Sequence, residues 1–459
     1  MKKTHIFAAI ACALSLCACS NETGNPVLSI EGGKVQGVVC DSTDVIAYKG
    51  IPYAAAPVGE LRWKKPQPVV PWDTVLIANN FRNASMQAAH DPNDGAYGTE
   101  FFATDAPFSE DCLYLNVWTP RSAAGNAAAK LPVAMWIHGG AYTGGWGFEP
   151  EMDGEAWAER GVILVTINYR LGVFGYLNHP LLTAEGGGHS GNYGTYDQAA
   201  ALAWIKNNIA QFGGDPDNIT VFGQSAGAAS VKNMVISPLT KGMVKRAIIQ
   251  SIGGISSMLS GDEPQAALDA KAKARYDAVG LSTLEQLRAA SWEDLTKAAG
   301  NAWVDTTAIS FRPHTDGVLL TEDFNTAAFG NTLADVPYMI GSCGDDMPGL
   351  AEGIQRFAEV RDSLSQQPTY VYFFDRKLPS DGRKSLQGAF HSSELWYVFN
   401  TLSRSWRPFT DADRRLATEM VDYWTNFCKY GAPDAPGAPV TWPASTKAAP
   451  HTQPLKIAE

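Results

Sequence analysis

Past residue 19 the chain holds only four cysteines, Cys40, Cys112, Cys343 and Cys428, and no two of them form a C-x-x-C pair. That excludes the common structural zinc sites, which need clustered thiolates and imidazoles. Basic runs are equally scarce. The densest is "RWKKP" at 62–66, and the formal net charge is −11. An acidic chain with one short basic cluster is a poor partner for nucleic acid. No apolar run can cross a bilayer as a mature helix; the longest, near the start, has about a dozen residues. Repeats, low-complexity tracts and a linker beyond about residue 27 are all missing, so nothing divides the body of the chain.

What is present is a globular composition, 45 % hydrophobic and 18 % charged, with ample length for a large core. The first residues, "MKKTHIFAAIACALSLCAC", join a basic start to an apolar stretch and read as an export signal over 1–18. The end of that stretch, "LCAC" at 16–19, resembles the lipobox of bacterial lipoproteins, with Cys19 as the lipidated first residue. Cys17 at the second lipobox position is less usual, and an ordinary cleaved signal is the alternative. Lipid anchoring at Cys19 implies residence in the cell envelope, with membrane contact only through the anchor. Residues 19–27 then serve as a tether and 28–459 as a single catalytic domain. An exported chain permits disulfides, and four cysteines allow three full connectivities.

From Val27 onward, short apolar runs alternate with helical periods. "LPVAMWIHGG" and "RGVILVTINYR" contain buried-strand runs, and "ITVFGQ", "RAIIQS" at 246–251, "VPYMIGS" at 336–342 and "TYVYFF" at 369–374 predict further strands. Leu202, Ile205, Ile209 and Phe212 predict an amphipathic helix over 197–212, followed by a turn at "GGDPDN". Residues 264–298 predict further helices. A last helix starts at Thr410, boxed by Asp413 and stopped by Gly431. Such alternation predicts an α/β fold with a mostly parallel sheet covered by helices on both faces. Ligands of such sheets bind at the carboxyl ends of the strands.

One hydroxyl lies at such an end. "VFGQSAGAAS" at 221–230 sets Ser225 between Gly223 and Gly227, after a strand and before a run of small residues. A sharp strand-to-helix turn strains the central residue and leaves no room for neighbouring side chains, which accounts for the glycines. The turn lifts the Ser225 hydroxyl off the sheet and puts the Ala226 amide at a helix N-terminus. A serine needs a base to become nucleophilic. His90, His138, His179 and His189 precede it, His314 has no acid before it, and His451 sits in a Pro-rich tail. His391, in "GAFHSSELWYVF", fits the order nucleophile, acid, base. Its spacing to Glu394 would also suit a metal pair, but no further ligand is suitably spaced. The acid is Asp345 or Asp346, just past the strand at 336–342. "HGGAY" at 138–142 offers paired glycines whose amides can face an oxyanion.

These residues resemble one family, the type-B carboxylesterases of the α/β-hydrolase fold, the group that includes cholinesterases. The likeness runs from about residue 28 to about 445. It is carried by "YKGIPYAAAPVGELRWKKP", "EDCLYLNVWTP", "GNYGTYDQAAALAWIKNNIAQFGGDPDNITVFGQSAG", "FRPHTDG", "GAFHSSELWYVF" and "YWTNFCKYGAPD", in family order. The resemblance implies Ser225 as nucleophile, His391 as base and Asp346 as acid. It implies Gly139, Gly140 and Ala226 as oxyanion donors, a small-molecule ester as substrate, and no cofactor or metal. The family also holds adhesion proteins without activity, lipases, and deacylases of plant polysaccharides. A cation-binding member would want aromatic walls, for which Trp146, Trp303 and Trp396 are candidates.

Three departures from the family pattern stand out. Asp346 replaces the usual Glu, so its loop must approach His391 more closely. Ser85 stands where the family has the cysteine partner of Cys112, which implies a free buried thiol at Cys112. Only 45 residues separate Asp346 from His391, which implies a shortened helical cover and a more open site.

Overall fold

The computed structural model describes residues 24–41, 43–89, 97–101, 106–256, 263–383, 385–436 and 441–457. Cys19 and the export signal lie outside them. The strand Val27–Ile30, paired with Gly33–Gln36, takes up the last residue assigned to the tether.

Among the described residues, ten strands form the main sheet: β1 (Val38–Val39), β2 (Val45–Pro52), β3 (Tyr114–Pro120), β4 (Leu131–Ile137), β5 (Ile163–Ile167), β6 (Gly214–Gln224), β7 (Arg246–Gln250), β8 (Tyr338–Cys343), β9 (Thr369–Phe374) and β10 (Gln453–Leu455). Their spatial order is β10-β9-β8-β7-β6-β4-β5-β3-β2-β1. From β10 across to β5 every pairing is parallel, and the β1–β3 edge is antiparallel. The central strands are buried on both faces, as their unbroken apolar runs require.

Side chains alternate between two cores. Val133, Met135 and Ile137 of β4, with Val221, Ile249 and Ile340, join one core; Ala134, Trp136, Phe222, Ile248 and Met339 join the other. The first core is closed by α1 (Tyr193–Asn208) and α2 (Ala226–Ile236). A smaller third cluster gathers α3 (Gln265–Asp277), α4 (Leu284–Ala289) and α5 (Trp292–Ala299) around Trp63, Phe174 and Leu177. Residues of α6 (Leu350–Ser363) complete the first core. The opposite face is covered by α7 (Asp411–Tyr430), through Leu416, Met420, Trp424 and Phe427. Its capping box of Thr410 and Asp413 and its left-handed Gly431 stop are both in place.

Two expectations need correction. The helix expected over 197–212 starts earlier, at Tyr193, because Asn192 takes a left-handed conformation and turns the chain into it. It ends at Asn208, where a tighter turn over Ile209–Phe212 still buries Ile209 and Phe212. The expected turn at 213–218 instead opens β6, whose pairing with β4 shifts register between Gly214 and Ile219.

Candidate active site

The carboxyl ends of β4, β6, β7 and β8 lie side by side, and each is followed by residues of the candidate site. After β6 the chain turns into α2 through Ser225, whose φ of 56° and ψ of −125° are strained for an L residue. A Cβ at Gly223 would meet the Gly227 carbonyl at 2.5 Å, and one at Gly227 would meet the Ile137 oxygen at 1.9 Å. Both obstacles are backbone, so only glycine fits. The turn is pinned from both sides: Ser225 N donates to Gln250 O at 2.9 Å, and Ala229 N donates to Ser225 O at 3.0 Å.

After β4 come His138, Gly139 and Gly140. A Cβ on Gly139 would lie 3.2 Å from Ser225 Cβ, so this loop runs directly beside the Ser225 turn. Gly140 has a φ of 99°, and a Cβ there would strike the Gly144 oxygen at 2.1 Å. Thr143 N and Gly144 N both donate to Gly140 O at 2.9 Å and close the turn. Among the described residues no acceptor takes the amides of Gly139, Gly140 or Ala226, so all three remain available to a ligand. His138 is buried beneath them, stacked on Tyr169, with Nδ1 2.8 Å from Gly139 O. Burial pushes its pKa down to about 4, so the imidazole is neutral and acts as a fixed prop.

His391 and Asp346 meet across 45 residues of sequence. His391 Nδ1 is 2.7 Å from Asp346 Oδ1. The Asp346 carboxylate also accepts from the amides of Cys343, at 3.2 Å, and Met347, at 2.8 Å. Burial alone would raise its pKa; the bonds from His391, Ser251 and Met347 outweigh burial and hold it below the ordinary aspartate value. Asp345 is occupied elsewhere. Its Oδ2 accepts from Ala389 N at 2.8 Å and its own N–H donates to Ala389 O at 2.9 Å, in a short parallel bridge to Phe390. The two neighbouring acids therefore divide the work: Asp345 fixes the approach of the 388–390 segment, and Asp346 faces the ring that segment delivers.

The second ring nitrogen, His391 Nε2, lies 3.2 Å from Gln224 Nε2. The Asp346 carboxylate can only accept, so Nδ1 carries a proton toward it, and Nε2 is the ring atom left facing Gln224 and the Ser225 turn. Ser225 Oγ makes no hydrogen bond to His391 among the described residues; Gln224, its chain neighbour, holds that position instead. Long or missing nucleophile–base contacts are common in unliganded sites and tighten when substrate binds. Gln224 is a contact the sequence reading missed, although its place directly before the serine was visible.

Other candidates sort by burial. Trp146 and Trp396 are 1 % exposed and belong to the core, so neither presents a ring face to a ligand; Trp303 is 85 % exposed. His314 is buried with Nε2 2.9 Å from Gln265 Oε1, and His179 accepts the Leu181 amide at the start of a helix. Glu394 is buried and accepts from Cys343 and Gln250. Among the described residues no cluster of ligands suits a metal ion. Cys40, Cys112, Cys343 and Cys428 are all free. Cys112 is buried, and the hydroxyl of Ser85, in the place of the expected partner, hydrogen-bonds its thiol.

Comparison with known proteins agrees with this geometry. The carboxylesterase family profile matches residues 24–363 and 350–459. The fumonisin B1 esterase of Sphingopyxis macrogoltabida is 32 % identical, over 92 % of this chain and 85 % of its own. The para-nitrobenzyl esterase of Bacillus subtilis (strain 168) is 33 % identical, over 91 % and 92 %. A solved thermophilic PNB esterase superposes with a TM-score of 0.79 at 30 % identity, over 94 % of this chain and 96 % of that one. A carboxylesterase of Geobacillus stearothermophilus gives 0.78 at 30 %, with the same coverage. The chain belongs to the carboxylesterase family: it has the α/β-hydrolase fold and is a serine hydrolase that cleaves carboxylic esters.

Proposed function

We propose that Ser225 is the nucleophile of this hydrolase, His391 its general base and Asp346 the acid that orients the base. The observation that carries the assignment is the 2.7 Å contact between His391 Nδ1 and Asp346 Oδ1, at the mouth of the strained Ser225 turn. Ester substrate displaces the Gln224 amide from His391 Nε2, and the Ser225 hydroxyl takes its place. Ser225 Oγ attacks the ester carbonyl while Nε2 removes its proton. The negative oxygen rests on the amides of Gly139, Gly140 and Ala226; such donors contribute roughly 10²–10³ in rate each. The imidazolium protonates the leaving alcohol, and water, activated by the same ring, hydrolyses the acyl-enzyme. Asp346 keeps the ring in the accepting tautomer and stabilises its charge.

A fluorophosphonate probe tests this directly. One adduct on Ser225, absent in Ser225→Ala, is the expected result; labelling at another residue would overturn the assignment. The substrates are small-molecule esters, and a panel varying acyl and alcohol size identifies the preferred class. The choline-ester alternative loses support because Trp146 and Trp396 are buried. For location we propose export through residues 1–18 and lipid anchoring at Cys19 in a bacterial envelope. Cys19→Ala then moves the enzyme out of the membrane fraction; retention there would end this proposal.

A further inference from the structure

The loop that carries Gly139 and Gly140 is strained at its tip. Ala141 has a φ of 54° and Tyr142 a φ of 61°, so two consecutive L residues sit in the left-handed region. Such a path persists only where its surroundings dictate it. The chain returns from the tip through Gly144 and Gly145, and the returning limb packs on the outgoing one. Gly144 N donates to Gly140 O at 2.9 Å, and a Cβ at Gly145 would meet Gly139 O at 2.9 Å. Whatever fixes the peptides of Gly145 therefore fixes those of Gly139 and Gly140.

Two buried side chains do so. Gln87 Oε1 accepts from Gly145 N at 2.8 Å, and Gln87 Nε2 donates to Gly145 O and to Ser85 O, each at 3.0 Å. The Gln87 amide thus meets both polar groups of Gly145, as a strand partner would. The next amide, Trp146 N, donates to Glu149 Oε1 at 2.9 Å. A Cβ at Gly145 would lie 3.1 Å from that same oxygen. Glu151 is buried beside Glu149, and among the described residues no N–H or hydroxyl donor reaches its carboxyl oxygens. Burial, and then the neighbouring Glu149, hold Glu151 well above the ordinary carboxylate range, so it keeps its proton and gives it to Glu149. Burial raises Glu149 as well. As carboxylate or as carboxyl, Glu149 still offers an oxygen to the Trp146 N–H, so this contact does not depend on its ionisation.

We propose that Glu149 and Gln87 are positioning residues for oxyanion stabilisation: they clamp the Gly145–Trp146 stretch and so aim the Gly139 and Gly140 amides at the carbonyl oxygen of the ester. The proposal rests on those amides being oxyanion donors. Such donors accelerate the reaction only when they are held in place before the charge develops. The experiment replaces the carbonyl oxygen by sulfur, a weak acceptor. It measures kcat and KM for phenyl acetate and for O-phenyl thionoacetate, alongside thermal stability. Wild type is compared with Glu149→Ala, Glu149→Gln and Gln87→Ala. In Glu149→Ala, kcat for phenyl acetate falls at least about tenfold with KM within about twofold, because the loss falls on the transition state. The thionoester, which draws little from the amides, loses less than about threefold, so the preference for oxygen over sulfur narrows by at least about threefold. Glu149→Gln keeps an acceptor for the Trp146 amide and stays within about threefold of wild type on both substrates. Gln87→Ala narrows the preference as Glu149→Ala does.

Residues that only support the fold lower both substrates in proportion and leave the preference where it was, and that result overturns the proposal. So does a raised KM with unchanged kcat, or a Glu149→Gln variant no better than Glu149→Ala. Should Glu149→Ala fail to fold, Gln87→Ala decides, and an unchanged preference there overturns the proposal. A wild-type enzyme that cleaves the ester and the thionoester alike would instead defeat the oxyanion assignment itself, a separate failure.

Discussion

Replacing Asp346 by Asn is the sharpest test of how the site is wired. Asn keeps the size of the side chain and removes its charge. In one orientation its oxygen still accepts from His391 and Met347, but its NH₂ then faces the Cys343 amide, donor against donor. In the other, the NH₂ faces Nδ1 and forces the proton onto Nε2, where the ring can no longer take a proton from Ser225. At 2.7 Å and an effective dielectric near 20, the lost charge pair is worth about 6 kcal/mol in the imidazolium state. A neutral hydrogen bond in the better orientation returns about 1 kcal/mol. The remainder corresponds to a loss of roughly 10³–10⁴ in kcat/KM. The assay is initial-rate hydrolysis of p-nitrophenyl acetate above pH 7, with Asp345→Asn as the matched control. Asp345 serves the Ala389 amide, so that variant loses thermal stability and no more than about tenfold in kcat/KM. If Asp346→Asn stays within tenfold of wild type, or Asp345→Asn takes the larger loss, the assignment of the acid is wrong.

Three further outcomes follow from the geometry. Gly227→Ala drives a Cβ into the Ile137 carbonyl, so α2 must move; we expect about 1–3 kcal/mol of destabilisation by urea titration and a loss of at least about 10² in kcat. Asp413 is held at about pKa 2: burial opposes this, and Arg376, Thr410 and Tyr397 impose it. A depressed carboxylate stabilises the fold above its unfolded pKa and loses that contribution as pH falls toward the folded value. Asp413→Asn therefore costs about 1–2 kcal/mol at neutral pH, after allowing for solvent screening, and flattens the stability curve between about pH 4 and 2. Ser85→Cys places a second thiol against Cys112; in oxidising buffer a disulfide should form, with a mass loss of about 2 Da and a raised melting temperature, and two free thiols would refute it.

Much of this was legible in the sequence because local chemistry and global fold agree there. Gly223 and Gly227 announce a turn that admits no Cβ, and Thr410 with Asp413 announces a helix start. The buried strands showed themselves as apolar runs, and the histidine could be chosen by chain order. The choice between Asp345 and Asp346 was different: adjacent residues of one type carry no local signal, and only their partners, Ala389 and His391, separate them. Glu394, Cys343 and Gln250 were beyond reach for the same reason. Their contacts join loops dozens of residues apart, without periodicity to betray them. The early start of α1 was hidden because Asn192 enters it in a left-handed conformation, without a side-chain cap.

The amides proposed as oxyanion donors all belong to the main chain, and the His138 imidazole at the head of their loop stays neutral down to about pH 4. Peptide N–H groups carry no proton equilibrium in the working range. The cradle for the tetrahedral oxygen is therefore blind to acidity, whatever the surroundings of the enzyme. Adaptation to a more acidic or more alkaline habitat would leave these glycines alone and act on the carboxylates around one imidazole.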